Sequence, residues 1–220
     1  MGRKKLERFQ DNAERYNVVQ DGKDNFGRLI GKWRTEHFKN DHDLVVELGC
    51  GRGEYTVGLG EKIQDKNFVG VDIKGSRIWV GSSYALENGL NNVAFLRTQI
   101  ELLDKHFGEQ EISEIWVTFP DPRPKDKDEK RRLIAPRYLD TYRKLLKEEG
   151  WVKFKTDNTP LFDYTLDLFK EKQVKVKNLE FTHDLYNSEY MDEHLGVKTK
   201  YEKLFFEKGE RIKYMKFQFA

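Results

Sequence analysis

The sequence predicts an α/β fold: a mostly parallel seven-stranded sheet with helices on both faces and an antiparallel last strand. Short apolar runs alternate with helix-compatible segments from residue 44 onward, which is the pattern of a parallel sheet covered on both faces. Glycines or polar residues follow several of these runs, as they do at the ligand-binding edge of open sheets. Two late alternating runs have no obvious helix between them, which favours an antiparallel edge.

The individual elements follow from length, periodicity and boundary residues. The run at residues 44–48 is short, apolar and ends at glycines, which suits a buried strand. In the segment 76–88, Ile78, Trp79, Ser82 and Leu86 recur near a 3.6-residue period, which predicts a helix that Gly89 can terminate. By the same criteria we predict strands at residues 44–48, 68–72, 93–97, 114–119, 151–155, 174–181 and 214–219, and helices at 28–38, 54–62, 76–88, 138–146 and 159–170.

The length of 220 residues suits a single domain, 1–220, that can bury a sizeable core. Residues 1–43 are expected to form an N-terminal arm and a short helix, and residues 44–220 the core. Arg3, Lys4, Lys5 and Arg8 give the arm a small basic patch. The chain carries 40 Lys and Arg against 38 Asp and Glu, and the net charge of +2 can hide separated patches of opposite sign.

Several classes of protein are excluded by composition. A single cysteine, Cys50, rules out a disulfide framework and argues against a cysteine-based zinc site, so no metal is expected. The charged N-terminus has no apolar stretch behind it, and no run approaches the ~20 apolar residues that cross a bilayer. We therefore expect a cytoplasmic protein without membrane contact, either a monomer or a homodimer.

A glycine-rich loop, ELGCGRGE at residues 47–54, follows the first core strand and opens a helix. Glycines let a backbone turn tightly and approach a ligand without a Cβ in the way. The dinucleotide fingerprint would place a glycine where Glu54 stands, and a carboxylate at a helix N-terminus would repel a pyrophosphate. The loop therefore predicts a ligand without a diphosphate. The alternative is a turn used only for strand–helix packing, with Cys50 as a small loop residue rather than a catalytic thiol.

Asp72 ends the second core strand, where its carboxylate can accept hydrogen bonds from two ribose hydroxyls. The glycine loop together with this aspartate resembles class I S-adenosylmethionine-dependent methyltransferases. A sulfonium cofactor carries positive charge, which Glu47 can complement. Gln99 follows the third strand, where contacts to an adenine edge are expected, and a solvated glutamine is the alternative.

The segment FPDPRPK at residues 119–125 follows the fourth strand. Flanking prolines deny Asp121 a helical conformation and hold its carboxylate at the mouth of the predicted site. Six basic residues then fall between positions 123 and 132, and they suit a loop that contacts phosphates. The alternative is a solvated surface loop of mixed charge.

Two further segments reach the same edge of the predicted sheet. FKTDN at residues 154–158 ends the fifth strand, where Asp157 or Asn158 can cap the next helix. TKYEKLF at residues 199–205 is a polar stretch that leads into an apolar one.

These motifs, with EKRRL at residues 129–133 and GKW at 31–33, occur in the order and spacing of the bacterial tRNA (guanine-N7-)-methyltransferase family, which the sequence resembles from about residue 31 to residue 218. The resemblance implies a class I methyltransferase fold, S-adenosylmethionine as cofactor, and tRNA as partner. It implies cofactor contacts at Glu47, Gly49, Gly51, Asp72, Gln99 and Asp121, with Asp121 also catalytic. Substrate contacts are implied at Lys125, Asp157, Thr199, Tyr201 and Glu202, and phosphate contacts at Lys127, Lys130, Arg131 and Arg132.

The activity implied is transfer of a methyl group to N7 of the guanine at position 46, in the variable loop of tRNA. This sequence departs from the family pattern at Gln99, Arg123, Asp126 and Asp128. Asp126 and Asp128 make the loop at residues 123–132 less basic than is usual in the family. Three alternatives stay open: a class I methyltransferase acting on an exocyclic amine or a protein, a non-catalytic tRNA-binding protein of the same fold, and a nicotinamide oxidoreductase, which Glu54 disfavours.

Overall fold

A single eight-stranded sheet organises the chain, which the computed structural model describes from residue 3 to residue 220, with side chains from residue 6. Its strands are β1 (Val18–Gln20), β2 (Asp43–Leu48), β3 (Lys66–Asp72), β4 (Val93–Arg97), β5 (Ile112–Thr118), β6 (Leu146–Thr156), β7 (Val176–Thr182) and β8 (Lys213–Phe219). Across the sheet they lie in the order β1-β4-β3-β2-β5-β6-β8-β7. Strands β1 to β6 pair in parallel, and β8 pairs antiparallel with both β6 and β7. The predicted fold class, including the antiparallel last strand, is confirmed.

Six α-helices accompany the sheet within the described residues: α1 (Arg3–Glu14), α2 (Glu54–Lys62), α3 (Gly75–Glu87), α4 (Pro136–Leu145), α5 (Thr159–Lys170) and α6 (Lys200–Glu207). Two clusters of buried apolar side chains pack around the sheet. The central strands are buried along almost their whole length, as strands covered on both faces must be.

The strand count was predicted as seven, and the eighth strand, β1, comes from the segment predicted to be an arm. This strand pairs with β4 at the edge of the sheet. Because it has only three residues, it is too short to show the alternation that predicts a strand. The arm also contains α1, which packs on α3: Asn12 Nδ2 donates to the carbonyl of Gly75 (2.8 Å), and Trp79 Nε1 donates to Asp11 Oδ2 (2.6 Å). Residues 1–2 and the side chains of residues 3–5 lie outside the described part, whereas Arg8 lies over the Trp79 ring.

The helix predicted over residues 28–38 is shorter, a single π-helical turn over Trp33–Phe38. Its Trp33 is fully buried, and its indole N–H donates to the carbonyl of His106 (2.8 Å). The Glu111 carboxylate accepts from the backbone amides of Gly31, Trp33 and Gly108 at 2.7–2.9 Å. The GKW segment is therefore a structural anchor that fastens the chain before β2 to the loop before β5.

The connection between β7 and β8 corrects a second expectation, because it contains α6 and two short 3₁₀ helices rather than a plain link. Helix α6 begins with a capping box: Thr199 accepts from the amide of Glu202, and the Glu202 carboxylate accepts from the amide of Thr199. The spacing T-x-x-E is a helix-start signal readable from sequence.

The strand order places the functional residues together. Strand order runs in one direction from β2 through β3 to β4 and in the other from β5 to β6, so it reverses between β2 and β5. Ligands of open α/β sheets bind beyond the carboxyl ends of the strands at such a reversal. The loops that follow β2 and β5 are the glycine-rich loop and the FPDP segment, respectively.

Candidate functional site

Two adjoining cavities lie at this reversal. The larger, about 550 Å³, lies between the glycine-rich loop, the FPDP segment and the start of α6. The smaller, about 290 Å³, lies beyond β3 and β4. Gly49, Asp121 and Leu133 line both cavities, so the two form one continuous cleft.

The glycine-rich loop turns through backbone conformations that favour glycine. Gly49, Gly51 and Gly53 all have positive φ, at 71°, 58° and 72°. A Cβ on Gly53 would lie 2.5 Å from the ring of Phe95, so this position also needs glycine for close packing. The glycine-rich loop therefore allows both tight strand–helix packing and close approach of a ligand to its backbone, the two uses expected from the sequence.

Glu47 lies at the end of β2 with its carboxylate enclosed by hydroxyl and amide donors. The Thr118 hydroxyl donates to Oε1 (2.7 Å), while the Thr56 amide (2.9 Å) and hydroxyl donate to Oε2. Burial raises the pKa of Glu47 to about 7, although the hydrogen bonds from Thr118 and Thr56 oppose that rise. A cation in the cleft would favour the ionised form of this carboxyl group.

Asp72 ends β3 and faces the smaller cavity. The amide of Gly51 donates to its Oδ2 (2.9 Å), and the amide of Lys74 donates to its Oδ1 (2.7 Å). These bonds fix the orientation of the carboxylate and leave lone pairs for further donors. Gln99 lines the same cavity and is exposed there.

Asp121 lies at the boundary of the two cavities on a strained backbone. Phe119 and Arg123 on either side both have φ of 47°, a conformation that non-glycine residues rarely adopt. The Asp121 side chain is 63% exposed, and its Oδ2 lies 3.1 Å from Nε of Arg123. Such strain concentrates at functional sites, where the surrounding structure holds a side chain in a particular place.

Helix α6 forms one wall of the larger cavity through Thr199, Lys200 and Tyr201. Its first turn is held by the capping box and by Glu54, whose Oε2 accepts from the amide of Lys200 (2.7 Å). The carboxylate at the start of α2 thus fastens α6 to the cleft. Tyr201 is 57% exposed and Thr199 half-buried, so both face the cavity.

Behind this wall lies a fully buried ion pair. The Lys155 ammonium at the end of β6 is 2.6 Å from Oε1 of Glu202, and both side chains have no exposed surface. The Tyr186 hydroxyl donates to the same oxygen (2.6 Å). Burial lowers the pKa of Lys155, and the neighbouring Glu202 opposes that effect. The pair joins the sheet to α6 directly beneath the cleft.

Comparison with known proteins identifies the family to which this chain belongs. A family model described as "Putative methyltransferase" matches residues 41–215. A tRNA (guanine-N(7)-)-methyltransferase of Cytophaga hutchinsonii is 47% identical over 219 residues, covering 100% of this chain and 99% of the relative. One of Bacteroides fragilis is 47% identical over 221 residues, covering 99% and 86%. The chain belongs to the tRNA (guanine-N(7)-)-methyltransferase family.

Solved structures place this family member in a wider fold group. The 16S rRNA methyltransferase KamB superposes with a TM-score of 0.63 at 13% identity, covering 93% of this chain and 99% of that one. A structure described as an antibiotic-related methyltransferase gives 0.62 at 15% identity, covering 84% and 92%. At these identities the likeness concerns the fold alone, and it confirms the class I methyltransferase architecture expected from the sequence.

The cleft of this tRNA (guanine-N(7)-)-methyltransferase family member brings most of the predicted site residues together. The larger cavity is lined by Glu47, Gly49, Gly51, Asp121, Thr199 and Tyr201, and the smaller by Gly49, Asp72, Gln99, Asp121 and Arg131. Six predicted residues line neither cavity: Lys125, Lys127, Lys130, Arg132, Asp157 and Glu202.

Those six residues have different surroundings. Glu202 is buried against Lys155, as described above. Lys125, Lys127 and Lys130 are exposed on the loop beside the cleft, while Arg132 packs its guanidinium over the ring of Tyr164. Asp157 is half-buried beyond β6, and helix α5 is capped by Asn158, whose side chain accepts from the amide of Leu161 (2.9 Å). The capping alternative therefore applies to Asn158.

Three residues of the site were missed in the sequence. Thr56 and Thr118 hold the Glu47 carboxylate, and Lys155 pairs with Glu202. Thr118 immediately precedes the FPDP segment, and Lys155 lies inside FKTDN, so one adjoins a sequence motif and the other belongs to one. Their roles depend on neighbours distant in sequence, which no local pattern reveals.

Residues 3–220 contain neither a candidate metal site nor a candidate membrane span. That part of the chain has no group of three or more His, Cys, Asp or Glu side chains arranged to hold a metal ion. None of its helices combines the length and apolar character that crossing a bilayer requires.

Proposed function

We propose that this protein transfers a methyl group from S-adenosylmethionine to N7 of guanine in tRNA, with the guanine at variable-loop position 46 as the predicted target. The observation that carries the proposal is the coincidence of a cleft at the sheet reversal, which contains Glu47, Asp72 and Asp121, with full-length 47% identity to a protein of that name. A tRNA substrate would place the reaction in the cytoplasm.

The residues of the cleft fit a cationic nucleoside cofactor. The two cavities are lined by five carboxylates (Glu47, Glu54, Asp72, Glu101 and Asp121) and by six basic residues (Arg52, Lys74, Arg77, Arg123, Arg131 and Lys200). Glu54 opens the helix that follows the glycine-rich loop, where a carboxylate would repel a pyrophosphate. Asp72 would accept from ribose hydroxyls with the lone pairs that the two backbone amides leave free. Gln99 would contact the adenine edge, and Glu47 would offset positive charge in the larger cavity.

When bound, S-adenosylmethionine supplies a methyl group on a positively charged sulfur. The N7 atom of guanine carries a lone pair and needs no deprotonation before attack. The protein therefore has two tasks, which are to align the reacting atoms and to stabilise charge that develops on the base. A carboxylate near the base performs the second task, because it accepts hydrogen bonds from guanine N1–H and the 2-amino group and favours a cationic product.

Asp121 would perform that role, since it lines both cavities where they meet. Its side chain is exposed to the cleft, and the rigid segment between Phe119 and Arg123 holds it there. Arg123 pairs with it in this structure, and a bound guanine would compete for the same oxygens. Thr199 and Tyr201 on α6, with Asp157 beyond β6, would hold the nucleotide, and Lys125 with the basic loop would contact phosphates.

The experiment is incubation of the purified protein with labelled S-adenosylmethionine and unmodified tRNA, followed by nuclease digestion and separation of nucleosides. We expect label in 7-methylguanosine, and a tRNA with guanine 46 replaced by adenine should lose it. Label in another nucleoside or in protein would point to a different methyltransferase. Binding of tRNA with no label at all would point to a non-catalytic protein of the same fold.

A further inference from the structure

A groove on the far side of α2 adjoins the cleft and has no role in the proposed reaction. Its volume is about 440 Å³, and it lies between α2, α3 and α6. Arg52, Glu54 and Lys200 line both this groove and the larger cavity, so the groove opens directly from the cleft. The loop at 123–132 lies on the other side, where Arg123 and Arg131 line the smaller cavity.

The groove is cationic. Arg52, Lys198, Lys200 and Lys203 line it, against two acids, Glu54 and Glu61. Both acids already accept hydrogen bonds: Glu54 from the amide of Lys200 (2.7 Å) and Glu61 from the Tyr84 hydroxyl (2.6 Å). Within the described residues neither acid forms an ion pair with a basic residue of the groove, and the basic side chains outnumber the acidic ones by four to two.

Three of the four cations are available to a ligand. Arg52, Lys200 and Lys203 are exposed, and none forms an ion pair within the part of the chain that the structure describes. Lys198 differs, since its ammonium lies 4.2 Å and 4.3 Å from the ring centroids of Tyr186 and Phe206. The opposite wall presents Tyr84, 41% exposed, as a flat surface suited to stacking against a base or ribose.

We infer that this groove, which we call the α2–α6 groove, binds the sugar-phosphate backbone of the substrate RNA on one side of the target nucleotide, while the 123–132 loop binds it on the other. The inference rests on the proposed function. A nucleotide in the cleft has a phosphate on each side, so the chain must leave the cleft in two directions. Clustered, unpaired cations beside an aromatic ring are the usual composition of a nucleic-acid surface, and phosphate contacts of this kind position the substrate.

The test measures binding of unmodified tRNA as a function of KCl concentration by the double variant Lys200→Ala/Lys203→Ala. We expect binding about tenfold weaker than that of the parent and a slope of log K against log salt that is lower by about 1.5, since each lost phosphate contact removes about 0.7–0.9. The matched control is Lys170→Ala, an exposed lysine that ends α5 and lines neither the groove nor the two cavities of the cleft. Its slope should equal that of the parent.

Two further measurements separate this inference from a folding defect and from the proposed function. Affinity for S-adenosylmethionine, measured by calorimetry, should be unchanged in the single variant Lys203→Ala, because Lys203 lines the groove and neither cavity of the cleft, and the salt slope of this variant should still fall by about 0.7–0.9. An unchanged slope would overturn the groove assignment, and so would weaker binding with an unchanged slope, because that pattern indicates a structural effect. Since binding is measured without methyl transfer, a parent that binds tRNA but yields no 7-methylguanosine would refute the proposed function while still testing the groove.

Discussion

At the scale of single residues, the cleft is controlled by carboxylates whose surroundings differ sharply. Glu47 is enclosed by threonine donors, Asp72 is oriented by two backbone amides, and Asp121 is exposed and paired with Arg123. The sequence indicated that all three would meet, because each lies at, or a few residues beyond, the carboxyl end of a strand of the same sheet. It could not indicate that Thr56 and Thr118 would enclose Glu47, because those contacts depend on the folded arrangement of separate segments.

Asp121 should matter for turnover more than any other acid of its loop. We expect Asp121→Asn to lower kcat at saturating tRNA by about 100-fold, since it removes a charge that faces the developing cation. Asp126→Asn, which changes an exposed carboxylate of the same loop, should stay near the parental rate. The measurement is steady-state methyl transfer with both substrates saturating. Parental turnover in Asp121→Asn would remove this residue from the mechanism.

Glu47 should make the ligand-free protein less stable as the pH rises. Its pKa in the folded state, about 7, lies above its value in the unfolded chain, so the folded state binds more protons between these two values. The stabilisation is therefore fully present below the unfolded pKa, near 4.5, and is lost as the pH rises through 7. The free energy of unfolding, measured with urea, should fall between pH 5.5 and pH 8.5 in the parent. In Glu47→Gln this fall should be smaller by roughly 1–3 kcal/mol.

The control for this measurement is Glu148→Gln, which changes an exposed carboxyl group and should keep the parental pH dependence. If Glu47→Gln unfolds with the same pH dependence as the parent, the Glu47 carboxyl group of the parent protein is already ionised at neutral pH. That result would contradict a raised pKa of Glu47.

At the scale of secondary-structure elements, α6 is attached to the rest of the molecule by polar contacts as well as by apolar packing. The Lys155–Glu202 ion pair joins it to β6, and Glu54 joins it to α2. Sequence reasoning located most core strands and helices within a few residues, because their periodicity and end signals are strong. It missed β1 because three residues carry no period, and it missed α6 although the T-x-x-E capping box was present at residue 199.

Removing one partner of the buried pair should be costly. Lys155→Met leaves the Glu202 carboxylate buried without its cation, and we expect a loss of about 3–5 kcal/mol in the free energy of unfolding. The double variant Lys155→Met/Glu202→Leu should recover most of that loss, because it removes both charges. Urea denaturation of the single and double variants provides the measurement. Equal destabilisation of the two would show that packing, and not charge, holds α6.

At the scale of the whole molecule, a net charge of +2 conceals an uneven distribution of charge. Carboxylates and basic residues both line the cleft, and further basic residues lie on the 123–132 loop on one side and along the α2–α6 groove on the other. Charge totals therefore say little about partners, whereas the positions of charges along the cleft say a great deal. The sequence indicated the basic loop because its residues are contiguous. It did not indicate the groove, because that surface is assembled from three separate helices.

Phosphate contact by the loop predicts strong dependence of tRNA binding on ionic strength. We expect the triple variant Lys127→Ala/Lys130→Ala/Arg131→Ala to lower the slope of log K against log salt by about 2. Cofactor affinity must be measured in parallel, because Arg131 also lines the smaller cavity. A parental slope in this variant would mean that the loop is a solvated surface.

The position of β8 also bears on how the protein is made. This strand is synthesised after β7 yet lies between β6 and β7, and β7 has no other neighbour in the sheet. Until residues 213–219 have left the ribosome, β7 has no sheet neighbour and β6 presents an open edge. The half of the sheet that carries Lys155 must therefore be completed after the half that carries the glycine-rich loop, so a growing chain would acquire its cofactor-facing wall before the wall that α6 closes.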